Sequence, residues 1–244
     1  MATDLEGLRR GTHDWTSPEY IDKWLKSAAE RDTQRGLHFW LMAQVLPFGQ
    51  NDTFRVADIG CGGGAAAQVV LEAFPKSQAV CVDGSEAMLA KAKENLGSFG
   101  DRVSYVQADF SKAGWAQPLS GSGLDAAVSS KAIHNLFDAG AVRGVYDGVA
   151  SMLRTGGVFV NIDNVSAIEP LLDRFDATHR ARKDQREGNA PLTSVLYAGV
   201  SRQRSGERFA GTLEEHFQWL RKAGFTAADA IWREVYTAVI VAVR

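Results

Sequence analysis

From Phe54 onward the chain alternates between short apolar runs and longer segments of helical period. "FRVADIG", "QAVCVDG", "RVSYVQADF", "GLDAAVSS" and "GVFVNIDN" have strand length, whereas "AAAQVVLEAF", "SEAMLAKAKENLGSFG" and "AVRGVYDGVASMLRTGG" have helix length. Ser85 offers an N-cap to the second of these helices and Gly97 a stop; Gly156 and Gly157 are expected to stop the third. This alternation predicts an α/β fold: a doubly wound, mostly parallel sheet with helices on both faces. The chain then changes pattern. "TLEEHFQWLRKAGF" reads as a capped amphipathic helix, and "AADAIWREVYTAVIVAVR" as two strands with a turn near Glu234, so a C-terminal antiparallel hairpin is expected at the sheet edge.

Two other regions stand outside the alternation. In "TSPEY", Thr16 or Ser17 can cap a helix with Pro18 in its first turn and Glu19 placed for a capping box. Helices are expected at about 18–31 and 33–46, with Tyr20, Trp24, Leu37, Trp40 and Leu41 as apolar faces and Pro47 as the stop. Residues 166–187 read as a charged helix with a stripe at Ile168, Leu171, Leu172 and Phe175, followed by a stretch without clear period. The expected organisation is an N-terminal helical lid over 1–48 and one α/β domain over 49–244 with a cap insertion at about 166–210.

Composition narrows the partners. The 244 residues are 45% apolar, enough for one large core, and carry 27 Lys and Arg against 29 Asp and Glu, a net charge of −2. A polyanion partner would need clustered basic excess. The one basic cluster, Arg174, Arg180, Arg182, Lys183 and Arg186, is interleaved with Asp173, Asp176, Asp184 and Glu187, as on a solvated helix face. No run approaches the about 20 apolar residues of a membrane span, and "MATDLEGLRRGTHDW" lacks the apolar core of a signal peptide. A cytoplasmic protein with a small-molecule partner, and neither nucleic acid nor membrane, is expected. The oligomeric state stays open, a homodimer included. Two cysteines, Cys61 and Cys81, are too few for a disulfide framework or a cysteine zinc cluster.

The chemistry concentrates in "RVADIGCGGGAAAQVV". A glycine-rich turn from strand to helix lets a ligand approach the backbone beside the positive helix end. Gly60, Gly62 and Ala65 meet the nicotinamide fingerprint, with Asp83 standing 23 residues after Gly60 as a ribose acid, so an NAD(P)-dependent oxidoreductase is one reading. Other features point elsewhere. Asp58 places a carboxylate where a pyrophosphate would be repelled and an amine welcomed; Asp109 with Phe110 suits an adenine amine and ring; and a terminal hairpin is an unusual ending for a dinucleotide domain.

With these pieces the chain resembles the class I S-adenosylmethionine-dependent methyltransferases. "VADIGCGGG", "VCVDGSEAMLAKAKENL", "VSYVQADF", "LDAAVSSKAIHNL" and "LRTGGVFVN" match five family motifs in order, with Thr155 where the family often has proline. The resemblance implies a Rossmann-like methyltransferase fold and S-adenosyl-L-methionine as cofactor. It implies that Asp58, Gly60 and Gly62 line the methionine end, Asp83 holds the ribose, Met88 packs on adenine, and Asp109 with Phe110 receives the adenine amine. Cys61, Gly84 and Ser130 complete the expected cofactor contacts.

The activated methyl needs an aligned nucleophile and, for hard acceptors, a base. His134, just after the fourth strand, is the candidate; Tyr20, Trp24, Asp163 and His179 are expected beside it around the acceptor. Trp40 and Tyr197 are further aromatics of the covering segments, His13 and His38 belong to the N-terminal segment, and His216 is expected on a surface-type helix. No metal is expected, because Asp163 and Asn164 would lack a third ligand. Neither the Asn- or Asp-Pro-Pro-aromatic motif of base and glutamine methylation nor a cysteine follows the fourth strand. The expectation is metal-independent methylation of an oxygen or nitrogen of a small molecule. The oxidoreductase, and a non-methylating binder of the cofactor with an inert His134, remain as alternatives.

Overall fold

Seven strands form one sheet in the computed structural model, which describes residues 9–10, 13–15, 17–26, 35–186, 188 and 209–244. In chain order they are β1 (Arg55–Ile59), β2 (Gln78–Asp83), β3 (Val103–Gln107), β4 (Leu124–Ser130), β5 (Leu153–Asn164), β6 (Ala227–Glu234) and β7 (Thr237–Val243). The spatial order is β3-β2-β1-β4-β5-β7-β6, with β7 antiparallel to both neighbours and the other pairings parallel. The order reverses between β1 and β4, and open α/β sheets bind ligands at the strand carboxyl ends beside such a reversal.

The helices are α1 (Pro18–Lys26), α2 (Gly36–Val45), α3 (Ala65–Ala73), α4 (Glu86–Asn95), α5 (Ala139–Met152), α6 (Leu172–Arg186) and α7 (Leu213–Lys222). Alternation along each strand splits the core. Val56, Cys81, Val128 and Val160 pack under α2, α3 and α4, whereas Ala57, Val82, Ala127 and Phe159 pack under α5 and α7. Caps agree with the sequence: Ser85 Oγ accepts from the Met88 amide, and Thr212 forms a capping box with Glu215. Among the described residues no helix is long and apolar enough to cross a membrane.

Several expectations are corrected. The first helix is described from Pro18 to Lys26, its expected part at 27–31 lying outside the described residues, whereas the second starts at Gly36, later than the expected 33, and runs to Val45. In α2 the buried side is His38, Phe39, Met42 and Ala43, whereas Leu37 and Trp40 are 52% and 57% exposed. Because "GLHFWLMAQV" is apolar nearly all round, its sequence selects no face. The third helix of the alternation ends at Met152, ahead of Gly156 and Gly157, and β5 already starts at Leu153. Gly157 lies in this strand, where an added Cβ would meet Arg154 O at 2.9 Å and Asp125 O at 3.2 Å. In the 166–187 segment the helix begins only at Leu172, after a 3-10 turn at Glu169–Leu171; Ile168 and Leu171 are exposed.

His216 is also corrected: it is buried, and the Tyr146 hydroxyl lies 2.6 Å from its Nδ1. Leu213, His216, Phe217 and Leu220 share one stripe of α7, a spacing that could have placed it inside. Burial holds His216 down to about 4, so it stays neutral. Tyr197 and most of the 187–208 segment lie outside the described residues.

Candidate active site

The carboxyl ends of β1, β2 and β4, with the turn after β3, surround a cavity of about 420 Å³, a size typical of small-molecule sites (roughly 300–1,000 Å³). β1 delivers Asp58 and then turns through Gly60 at φ 67°. A Cβ on Gly60 would lie 2.4 Å from the Ala132 methyl, so this turn tolerates only glycine where it passes the loop after β4. At Gly62, with φ 51°, an added Cβ would lie 3.6 Å from the Trp24 ring. Trp24 and Trp15, edge-on to each other at 5.5 Å, line the cavity with Phe39.

Three carboxylates border one side. Asp58 is buried; its Oδ2 accepts from the Ala67 amide at 3.0 Å while Oδ1 has no protein partner. Burial, opposed by the Ala67 amide and reinforced by Asp83, pushes its carboxyl up to about 7. Asp83 accepts from the Gly62 and Ser85 amides, each at 2.9 Å, and thereby fixes the glycine loop as well as facing the cavity. Burial also raises Asp83, with Asp109 adding like charge. Asp109 accepts from the Ser111 amide at 2.9 Å. The hydroxyls of Ser111 and Ser130 line the same cavity, buried and without protein partners.

Every expected cofactor residue is gathered here: Asp58, Gly60, Cys61 and Gly62 from the first loop, Asp83, Gly84 and Met88 from the second, and Asp109, Phe110 and Ser130 beyond. The Cys61 thiol is pushed up by its hydrogen bond with Cys81 and by burial, which keeps it protonated and a poor nucleophile. Orphaned buried oxygens in a ring of acids fit a ligand carrying amine, hydroxyl and cationic groups, as S-adenosylmethionine does. A pyrophosphate would meet repulsion from Asp58 and Asp83.

The expected acceptor residues divide. Trp24 lines the cavity, whereas Tyr20 packs edge-on against Trp15 at 5.2 Å and supports it. His179 is exposed, its ring 5.7 Å from Tyr236. His134 and Asp163 are absent from the cavity lining, although Lys131, Ala132, Asn135 and Leu136 of the same loop belong to it. The Asp163 carboxylate clamps His134 twice: Oδ2 accepts from its amide at 2.9 Å, and Oδ1 lies 2.5 Å from Nδ1. The Phe209 ring stands edge-on to the imidazole at 5.8 Å. Burial alone would raise Asp163, but His134, Lys131 and the Asn164 amide together hold it below the usual carboxylate range. An ionised Asp163 accepts a hydrogen bond from Nδ1–H, which leaves Nε2 as the ring's other nitrogen.

Sequence reasoning missed Trp15, Arg35, Lys91, Lys131, Asn95 and Asn135, all of which line the cavity. Lys91 and Asn95 lie three and seven residues after Met88 on α4, a helical spacing that would have found them. Trp15 and Arg35 come from segments without period and gave no such signal.

This strand order with its glycine loop and ring of acids is the fold arrangement of the class I S-adenosylmethionine-dependent methyltransferases. Residues 56–157 match the methyltransferase domain family. The trans-aconitate 2-methyltransferase of Acidovorax sp. (strain JS42) is 45% identical over 65 residues, 27% of this chain and 23% of that protein. That of Rhodopseudomonas palustris (strain BisB5) is 31% identical over 108 residues, 43% of this chain and 35% of that protein. The matches to these curated relatives therefore span only about a quarter to a third of their length. In fold, an O-methyltransferase family protein from Burkholderia thailandensis superposes with TM-score 0.62 at 14% identity, covering 94% of this chain and 63% of that one. The nicotinamide reading drops: spacing alone favoured it, and both the acids and the strand order oppose it.

Proposed function

We propose that this protein methylates an oxygen or nitrogen of a small-molecule acceptor, without a metal, and that His134 is the general base. The observation that carries the reading is the double clamp of Asp163 on His134, which engages the ring through Nδ1 and so leaves Nε2 as the nitrogen for an acceptor. When bound, S-adenosylmethionine supplies a methyl group already activated by its sulfonium. Asp58, Asp83 and Asp109 hold and orient that cofactor. His134 Nε2 takes the proton that a hydroxyl or ammonium acceptor gives up, and Asp163 stabilises the imidazolium that results.

Metal independence rests on the donor chemistry. Asp163 is engaged by His134, Asn164 Oδ1 accepts from Lys131 and Thr237, and among the described residues no group of three metal-binding side chains converges. We also propose that the first 48 residues act as a lid, because Trp15 and Trp24 cover the glycine loop and can exclude water there. The 166–210 insertion would cap the acceptor from the Phe209 side.

The test combines calorimetric titration of S-adenosylhomocysteine with a radiolabelled-methyl screen of hydroxyl and amine acceptors. His134→Gln should lower kcat by about 10²- to 10⁴-fold while leaving S-adenosylhomocysteine affinity unchanged. Unchanged turnover would make His134 inert, and failure to bind S-adenosylhomocysteine would defeat the methyl-transfer reading. Removal of the residues before α2, which leaves Phe39 and Met42 in the core, should abolish turnover.

A further inference from the structure

Asn135 lines the cofactor cavity, and neither the three acids nor His134 accounts for it. It belongs to a short loop whose backbone is strained at both ends: Lys131 has φ 56° and Phe137 has φ 52°, left-handed conformations that disfavour any residue with a Cβ. Between them a 3-10 turn spans Ile133–Leu136. The Lys131 amide donates to Ile162 O at 2.8 Å and the His134 amide to Asp163 Oδ2 at 2.9 Å, so β5 fixes the loop against the sheet. Strain of this kind persists where surrounding bonds over-determine it, and it collects at ligand clamps.

The loop also sets the direction of the Asn135 side chain. Its Nδ2 donates to Ala132 O at 3.1 Å and to Lys131 O at 3.4 Å. Both N–H groups thus point back along the loop, and the planar amide sends Oδ1 the other way. Among the described residues no group donates to that oxygen. The Asn135 amide donates to Ala132 O at 3.2 Å, a turn from i to i+3 that puts the two side chains on one side. Ala132 is the residue whose methyl excludes a Cβ from Gly60, so Asn135 stands at the Gly60 end of the cavity. Asp58 Oδ1 and Ser130 Oγ line the same cavity, buried and without protein partners. Oxygens gathered in this way suit a group with several N–H donors, and an ammonium carries three.

We propose that Asn135 is a further cofactor-binding residue, whose Oδ1 accepts a hydrogen bond from the α-ammonium at the methionine end of S-adenosylmethionine, beside Asp58 and Ser130. The inference rests on the methyl-transfer reading and extends its site to a residue outside the glycine and acid motifs. A neutral amide oxygen aligns the ammonium without adding a fourth carboxylate to the like charges of Asp58, Asp83 and Asp109.

The experiment is calorimetric titration of the full-length protein with S-adenosylhomocysteine and with its analogue carrying hydrogen in place of the α-amino group. The wild type should prefer S-adenosylhomocysteine. Asn135→Ala should cut that preference by about tenfold, by weakening S-adenosylhomocysteine while the analogue binds as before. A residue that only fixes the loop would weaken both ligands alike. Equal weakening of both, or an unchanged preference, overturns the assignment. If Asn135→Ala does not fold, Asn135→Ser carries the same comparison, since it keeps a donor for Ala132 O and leaves no oxygen in the place of Oδ1. Failure of both variants to fold also overturns it, because Asn135 is then a loop-fixing residue. Absence of S-adenosylhomocysteine binding by the wild type would instead strike the methyl-transfer reading.

Discussion

The two halves of the site are built differently. On the cofactor side, contacts are short in sequence: Asp58 meets the Ala67 amide nine residues on, and Asp83 meets the Gly62 amide across 21. On the acceptor side His134 meets Asp163 across 29 residues, and Lys131 meets Thr237 across 106. The cofactor half is thus a property of strand–turn–helix units, each of which prepares its own acid. The half proposed for the acceptor exists only after β5 and β7 have closed the sheet.

The contact between Gly60 and Ala132 is where that division can be broken most severely. Gly60→Ala should cost about 3 kcal/mol of stability, from the clash with the Ala132 methyl and the positive φ together. Ala132→Gly in the same chain should recover the steric part in urea unfolding and leave about 1 kcal/mol of strain. If the double variant is no better than the single, the two loops do not meet as described.

Opposite pH responses of similar size come next. The folded-state value of Asp58 is raised to about 7 from 3.8, so the folded protein holds a proton that the unfolded chain releases as pH rises between those values. Asp58→Asn should therefore gain stability relative to the wild type between pH 4 and 7, by up to about 4 kcal/mol. His216, lowered to about 4 from 6.5, has the reverse sign: the unfolded chain takes up a proton first, and stability is lost as pH falls through this window. The destabilisation caused by His216→Gln should shrink by up to about 3 kcal/mol from pH 7 to pH 4. Parallel pH profiles for either variant and the wild type would contradict its assignment.

The smallest expected effect sharpens the cofactor half alone. Asp83→Asn keeps an acceptor oxygen for a loop amide but loses the charge facing the cavity. S-adenosylhomocysteine should bind about tenfold more weakly, roughly 1.4 kcal/mol. An unchanged affinity would make Asp83 a loop-fixing acid only.

Much of this was legible in the sequence, and unevenly so. The strand–helix alternation, the terminal hairpin and every expected cofactor residue were in local patterns, because glycine turns, caps and strand-end acids act over a few residues. The face of α2 was not, since an apolar helix can bury any side and its choice of His38, Phe39 and Met42 came from the sheet beneath. His216 read as a surface residue beside two glutamates until Tyr146, 70 residues away, gave it a partner.

By itself, then, the sequence determined the order of elements, the glycine loop and the acids that line the cavity, because these depend on backbone freedom and short-range hydrogen bonding. Only the tertiary structure decided that Asp163 would orient His134, that Lys131 would reach Asn164 and Thr237, and that two tryptophans would cover the loop. Those contacts join residues with no local relation, and burial of the sheet's two faces is what brings them together.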